Sequence, residues 1–144
     1  MIEVNFYDNV DDSLIKFAVI IAKTDGKWVF CKHKDRDTLE VPGGHREDGE
    51  GILETAKREL QEETGAVVFD IKPICVYSVK GKTRVNGNLS EETYGMLYIA
   101  DIITFEEIHS EIEKILITDK LVENWTYPLI QPKLIEEAEN RGFL

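Results

Sequence analysis

The chain has 144 residues, 42% hydrophobic and 31% charged, the balance of an ordinary globular protein long enough for a proper core. Its formal net charge of −11 argues against duplex DNA or an anionic membrane as a bulk electrostatic partner. A phosphate-bearing small molecule is still allowed wherever a cation or a local basic group intervenes.

In chain order, the start MIEVNFYDNVDD is acidic and lacks the basic stretch of a signal peptide, while residues 2–7 alternate weakly as an edge strand would. Residues 16–22, KFAVIIA, form a β-branched apolar run that predicts a strand buried on both faces. The run is too short to span a bilayer, so a cytoplasmic location is expected. Thr24-Asp25-Gly26 carries turn chemistry into KWVFCK, which predicts a hairpin. A polar loop, HKDRDT, and the short LEVPGG follow.

The next helix is the clearest element. Gly51 stands as its N-cap with Glu54 at the third position, where a carboxylate satisfies free backbone donors. Leu53, Ala56 and Leu60 are the expected buried stripe, and Gly65 the terminating glycine. AVVFDIKPICVYSV predicts one or two strands broken near Pro73, KGKTRVNGNLSEE a loop or hairpin tip, TYGMLYIADII a long strand and KILIT a short one. A closing helix is expected from Pro128 or Pro132 to Asn140, stopped near Gly142. Cys31 and Cys75 fall in strands without CxxC or Cys/His spacing and read as buried free thiols. With no repeat or linker, one domain over 1–144 is expected, of α+β class or an α/β/α sandwich.

The helix segment KRELQEETG raises a chemical question. Glu59, Glu62 and Glu63 fall within an arc of roughly 100° on a helix, and like charges at that spacing are mutually destabilising. The arc abuts the apolar stripe, so these carboxylates face the protein body or a cleft. Arg58 stands four residues after Glu54, the favourable order for an ion pair, and its fork can also hold a neighbouring carboxylate. Three carboxylates on one rigid face suit a hard divalent cation such as Mg²⁺ or Mn²⁺.

Reading on from Gly44, the sequence is GHREDGEGILETAKRELQEETGA: Gly44, five residues, Glu50, seven residues, Arg58-Glu59-Leu60, one residue, Glu62-Glu63, one residue, Gly65, Ala66. This resembles the Nudix box of the Nudix hydrolase superfamily at every fixed position except the last, where Ala66 is small for a bulky aliphatic site. The resemblance implies a Nudix-type α/β/α sandwich with a mixed sheet. It implies metal binding by Glu59, Glu62 and Glu63, completed by the carbonyl of Gly44. Arg58 would orient the glutamates, and Glu50 would brace the loop or reach a metal through water. Glu59 or Glu62 would serve as general base, or a carboxylate from a later loop, Glu111 or Glu113. The implied reaction is attack of water on a nucleoside diphosphate-linked substrate. A non-catalytic sensing module would show eroded box carboxylates, and here all are present.

The substrate is less legible. ADP-ribose and diadenosine polyphosphate branches carry a Pro or Tyr near Lys82, Thr83 and Arg84, and neither residue is there. That favours a MutT-like nucleoside triphosphate pyrophosphohydrolase. LEVPGGHRE, VYSV, EETYGMLYIADI and ENWTYPLIQPKL also resemble a small bacterial 8-oxo-dGTP diphosphatase-like group. A nucleotide sugar, a dinucleotide or an RNA 5′ end is the alternative. Candidate phosphate contacts are Arg46, Lys34 and Arg36, with Lys32, His33, Lys80, Lys82 and Arg84 behind them. Trp28, Phe30, Tyr98 or Trp125 could stack on a base, and Asn124 could bond its edge. Homodimers are common in the superfamily.

Overall fold

Strand β2 (Ile15–Thr24) sits inside the sheet, and its neighbouring residues Ile20 and Ile21 belong to two different cores. That is why FAVIIA shows no alternation: both faces of this strand are covered. The structure is a computed structural model and describes residues 2–81 and 92–144. The loop predicted around 80–92, with Lys82, Thr83 and Arg84, lies for the most part outside the described residues.

The other strands are β1 (Glu3–Tyr7), β3 (Lys27–His33), β4 (Leu39–Glu40), β5 (Gly43–His45), β6 (Ala66–Lys80), β7 (Glu92–Phe105) and β8 (Ile112–Thr118). Among the described residues the sheet is mixed and eight-stranded, in the order β1-β6-β7-β2-β3-β4, with β5 on β2 and β8 on β3. Among the strands of the described residues β2 and β7 pair parallel and the other strand pairs are antiparallel. Helix α1 (Ile52–Thr64) packs Ala56 and Leu60 against one face, beside Ala18, Ile20 and Tyr98. Helix α2 (Gln131–Asn140) packs Leu134, Ile135 and Ala138 against the other, beside Tyr77 and Leu97. The expected α/β/α sandwich is the observed fold.

The β2–β3 hairpin turns at Asp25 and Gly26, with φ of 49° and 76°. Positive φ at both central residues is the turn whose twist matches paired strands. β6 is a single strand whose register shifts between Pro73 and Cys75, so the expected break is a bulge. Both cysteines are free and buried.

Three expectations are corrected. Leu53 is 43% exposed, and the buried face of α1 is instead Thr55, Ala56, Leu60 and Thr64, with Ile52 packed at its start. At about 100° per residue, Ile52, Ala56 and Leu60 span an arc of about 80° and a stripe through Leu53 about 60°, so the spacing does not choose between them and the position of the sheet does. Arg58 pairs with Glu50, Glu59, Glu62 and Glu47 rather than Glu54, whose carboxylate accepts from Gly51 N at the helix start. Glu113 is in strand β8, not in a loop, and is ion-paired with Lys32 at 3.2 Å.

Candidate active site

Two glycines bring the loop before α1 against the helix. A Cβ on Gly43 would lie 2.5 Å from the Ala18 carbonyl oxygen in β2, and one on Gly44 would lie 2.5 Å from the Glu59 carboxyl carbon. Only a glycine at 44 lets main chain approach that carboxylate so closely. At the far end Gly65 adopts φ 77°, donates its N–H to Gln61 O at 3.0 Å and stops the helix below Glu62 and Glu63.

Arg58 ties the segment together. Its Nε donates to Glu50 Oε2 at 2.6 Å, Nη2 to Glu50 Oε1 and the His45 carbonyl at 3.0 Å each, and Nη1 to Glu59 Oε1 at 2.7 Å. Glu50 also accepts from Thr55 Oγ1 at 2.7 Å and Glu47 N at 3.1 Å. The Arg58 fork, then Thr55, holds the Glu50 carboxyl down at about 2, and the same bonds raise the Arg58 guanidinium. Glu50 is therefore a brace between loop and helix.

The three box glutamates differ. The Glu59 side chain keeps 12% of its exposure and that of Glu62 keeps 51%. The Glu63 carboxylate accepts a hydrogen bond from Gly43 N at 2.8 Å and has no cation beside it among the described residues. Burial pushes Glu63 up to about 8, offset in part by Gly43 N–H and reinforced by the charges of Glu59, Glu40 and Glu62. Burial also raises Glu59, outweighing the Arg58 contact. These withdrawn carboxylates lack a positive partner commensurate with their charge, and hard oxygen donors of this kind take a divalent cation. Among the described residues no three acidic, His or Cys side chains already converge on one point. Arg58 draws Glu59 and Glu62 while Gly43 holds Glu63, and Glu62 has only a 3.5 Å contact to release.

A cleft of about 640 Å³ lies beside these glutamates, walled also by Glu106, Glu107, His109 and Glu111 from the segment between β7 and β8. Glu111 reaches it with its Oε2 at 3.2 Å from His33 Nε2; Glu113 is not in its wall. Sequence reasoning missed Glu106, Glu107 and His109, which approach because Glu106 N donates to Gly65 O at 2.6 Å.

The expected phosphate contacts are mostly engaged elsewhere. Arg46 donates to Glu50 O at 2.7 Å, Asp12 O at 3.0 Å, Ile15 O at 3.2 Å and Asp12 Oδ2 at 2.9 Å, so it pins the loop rather than facing a ligand. Arg36 pairs with Glu40 at 3.2 Å, Lys32 with Glu113, and Lys34 is exposed. The stacking candidates are occupied too. Trp28 lies on Phe30 at 6.4 Å, Trp125 meets Phe30 edge-on at 5.4 Å, and Tyr98 is core. Asn124 Nδ2 donates to Asp37 O at 3.0 Å.

An α/β/α sandwich carrying an arginine-braced glutamate cluster on a loop–helix–loop is the arrangement that the resemblance to the Nudix box implies. The NUDIX domain family model matches residues 13–133, and the chain belongs to the Nudix family. A relative from Bacillus subtilis (strain 168), named "Putative 8-oxo-dGTP diphosphatase YtkD", is 35% identical over 106 residues, 74% of this chain. The match spans 62% of that relative's length. The crystal structure of a mutant of the Bacillus subtilis pyrophosphohydrolase BsRppH superposes with a TM-score of 0.78 at 27% identity, covering 99% of this chain and 92% of that one. A MutT Nudix hydrolase from Burkholderia pseudomallei shares the fold, with a TM-score of 0.65 at 19% identity over 84% of this chain and 95% of that one. Nudix hydrolases generally use divalent metals. No helix among the described residues is long and apolar enough to cross a membrane.

Proposed function

We propose that the chain is a divalent-metal-dependent pyrophosphohydrolase that splits a nucleoside triphosphate, ordinary or oxidised, into the monophosphate and pyrophosphate. The observation that carries this reading is the half-buried pair Glu59 and Glu63, set against Gly44 and Gly43 with no cation on Glu63 among the described residues. Mg²⁺ or Mn²⁺ suits the all-oxygen donor set of Glu59, Glu62, Glu63 and the Gly44 carbonyl. When bound, such an ion supplies charge neutralisation at the phosphates and a more acidic water.

The chain's own residues do the remaining work. Arg58 fixes Glu59 and leaves the exposed Glu62 able to turn inward. Glu50 and Arg46 hold the loop so that the Gly44 backbone stays at the glutamates. A proton from the attacking water goes to a carboxylate of the cleft: Glu59, Glu62 or Glu111, the last steadied by His33. The relatives' names, a diphosphatase and a pyrophosphohydrolase, support the triphosphate reading.

The test is a screen with excess Mg²⁺ or Mn²⁺ over nucleoside triphosphates, oxidised dGTP, nucleotide sugars, dinucleotides and 5′-triphosphorylated RNA, scoring phosphate and pyrophosphate separately. Pyrophosphate release from a triphosphate is expected. Turnover confined to nucleotide sugars or dinucleotides, or none with any substrate, overturns the proposal.

A further inference from the structure

Strand β6 has a free edge over residues 66–75. β1 pairs with it only from Val76 to Lys80, and β7 lies along its other side. A row of unpaired N–H and C=O groups is a template for a further strand. The β6–β7 register runs without a shift from Phe69 to Pro73. Proline is tolerated in a strand where its nitrogen faces away from the ladder, so Pro73 turns the main-chain groups of Ile71 and Phe69 outward with its own. Val67, Val68 and Ile103 are 46%, 49% and 60% exposed at this end of the β6–β7 ribbon.

The charges beside the edge are mismatched within the chain. Asp70 of β6 lies directly opposite Asp101 of β7, and Lys23 of β2 lies opposite Asp101 on its far side. Lys23 sends its Nζ over the Trp28 ring instead, 4.4 Å from the centroid. Asp70, Asp101 and Lys72 have no ion pair with another described residue. Like charges directly opposite on a sheet destabilise it. The position that could neutralise Asp70 is in the empty lane outside β6.

The strand itself carries what that lane lacks. Val68-Phe69-Asp70-Ile71-Lys72-Pro73-Ile74 is self-complementary about Ile71. An antiparallel copy sets Ile71 on Ile71, Asp70 on Lys72, Phe69 on Pro73 and Val68 on Ile74. A two-fold axis through an antiparallel strand pair requires a residue opposite its own copy, so symmetry allows this register. The apolar edge of β8 offers no such match. An axis through Leu116 sets Glu113 on Asp119, one through Ile117 sets Lys114 on Lys120, and one through Ile115 sets Glu111 on Asp119.

We infer that a second copy of this chain docks antiparallel along β6, joining two sheets into one across Ile71, with Asp70 of each copy paired to Lys72 of the other. From Val76 onward β1 occupies the same lane, which confines the pairing to residues 68–74. An interface this short makes the dimer reversible and dependent on concentration. The inference is independent of the reading of the chain as a hydrolase.

Sedimentation velocity from about 1 to about 500 µM, at about 0.05 and about 0.5 M NaCl, tests it. Wild type should pass from monomer to dimer as concentration rises, with less dimer at the higher salt. Lys72→Glu sets two acids opposite each other and Asp70→Lys two lysines, so each variant alone should remain monomeric. Mixed in equal amounts the two should form a heterodimer, because every position then meets its opposite charge. Asp70→Lys combined with Lys72→Glu in one chain should dimerise again. Both positions are exposed and outside the acidic cleft, so turnover should not change. Thermal melting checks that each variant folds. Hydrogen exchange at Ile71 N in the wild type, slowing as concentration rises, decides the matter if one does not. A monomer at every concentration, a dimer that survives in either single variant, or no heterodimer on mixing overturns the inference.

Discussion

Glu63 carries most of the site's tension. Burial disfavours its charged form and pushes the carboxyl up to about 8 from an ordinary 4.5. An acid whose folded value is raised holds its proton longer in the folded state than in the unfolded one. Stability is therefore intact below about 4.5 and falls as pH rises toward 8, by an amount on the order of 3–5 kcal/mol. In urea titrations with EDTA, wild type should lose stability between pH 5 and pH 8, whereas Glu63→Gln should lose much less, keeping only the smaller fall due to Glu59. Parallel curves for the two proteins would show that this carboxylate is not penalised. With metal and substrate the order reverses, since Glu63→Gln and Glu62→Gln each replace a charged carboxylate by a neutral amide, a far weaker ligand for a hard cation. Each should lower kcat/KM at least about tenfold with the fold retained, and wild-type turnover in both would place the metal elsewhere.

At the level of elements, the site depends on how α1 begins and ends. Gly65 sits at φ 77°, and a Cβ there would run into the Glu106 carbonyl. Gly65→Ala should cost more than about 1 kcal/mol and should also detach the Glu106–Glu111 segment that walls the cleft. Chemical denaturation reads the first effect, and hydrogen exchange at Glu106 N, which donates to Gly65 O, reads the second. Loss of neither would mean that the helix end accommodates a side chain. Both glycine boundaries of this helix were legible in the sequence because capping is local chemistry. So was the hairpin at Asp25-Gly26, whose two positive φ values depend on the turn residues alone. The inward direction of Glu59 and Glu63 followed from helical periodicity. What depends on contacts across the chain was not legible. Leu53 and Ile52 are equally apolar, and only the position of the sheet decides that Ile52 packs and Leu53 does not. Arg46 resembles a phosphate ligand until Asp12, 34 residues earlier, takes its guanidinium. Gln131 reaches Val41 across 90 residues, and no local pattern marks it.

Across the whole molecule, the proposed action of a chain of net charge −11 on a polyanion would call on added cations twice, at the glutamates and in the approach of substrate. The first dependence has a thermodynamic signature separate from turnover. A ligand that binds only the folded state stabilises it by about 2.7 kcal/mol at a hundred times its Kd. For a protein of this size that corresponds to a rise in Tm of about 5–10 °C. Mg²⁺ or Mn²⁺ should therefore raise Tm well beyond KCl at equal ionic strength, which separates site binding from general screening of a crowded negative surface. The increment should be greater at pH 8 than at pH 5, because protons and metal compete for the same carboxylates. It should shrink sharply in Glu59→Gln and Glu63→Gln, and persist in Glu113→Gln, whose carboxylate pairs with Lys32 and lies outside the cleft wall. If KCl reproduced the whole shift, the glutamate cluster would be an acidic surface and not a metal site.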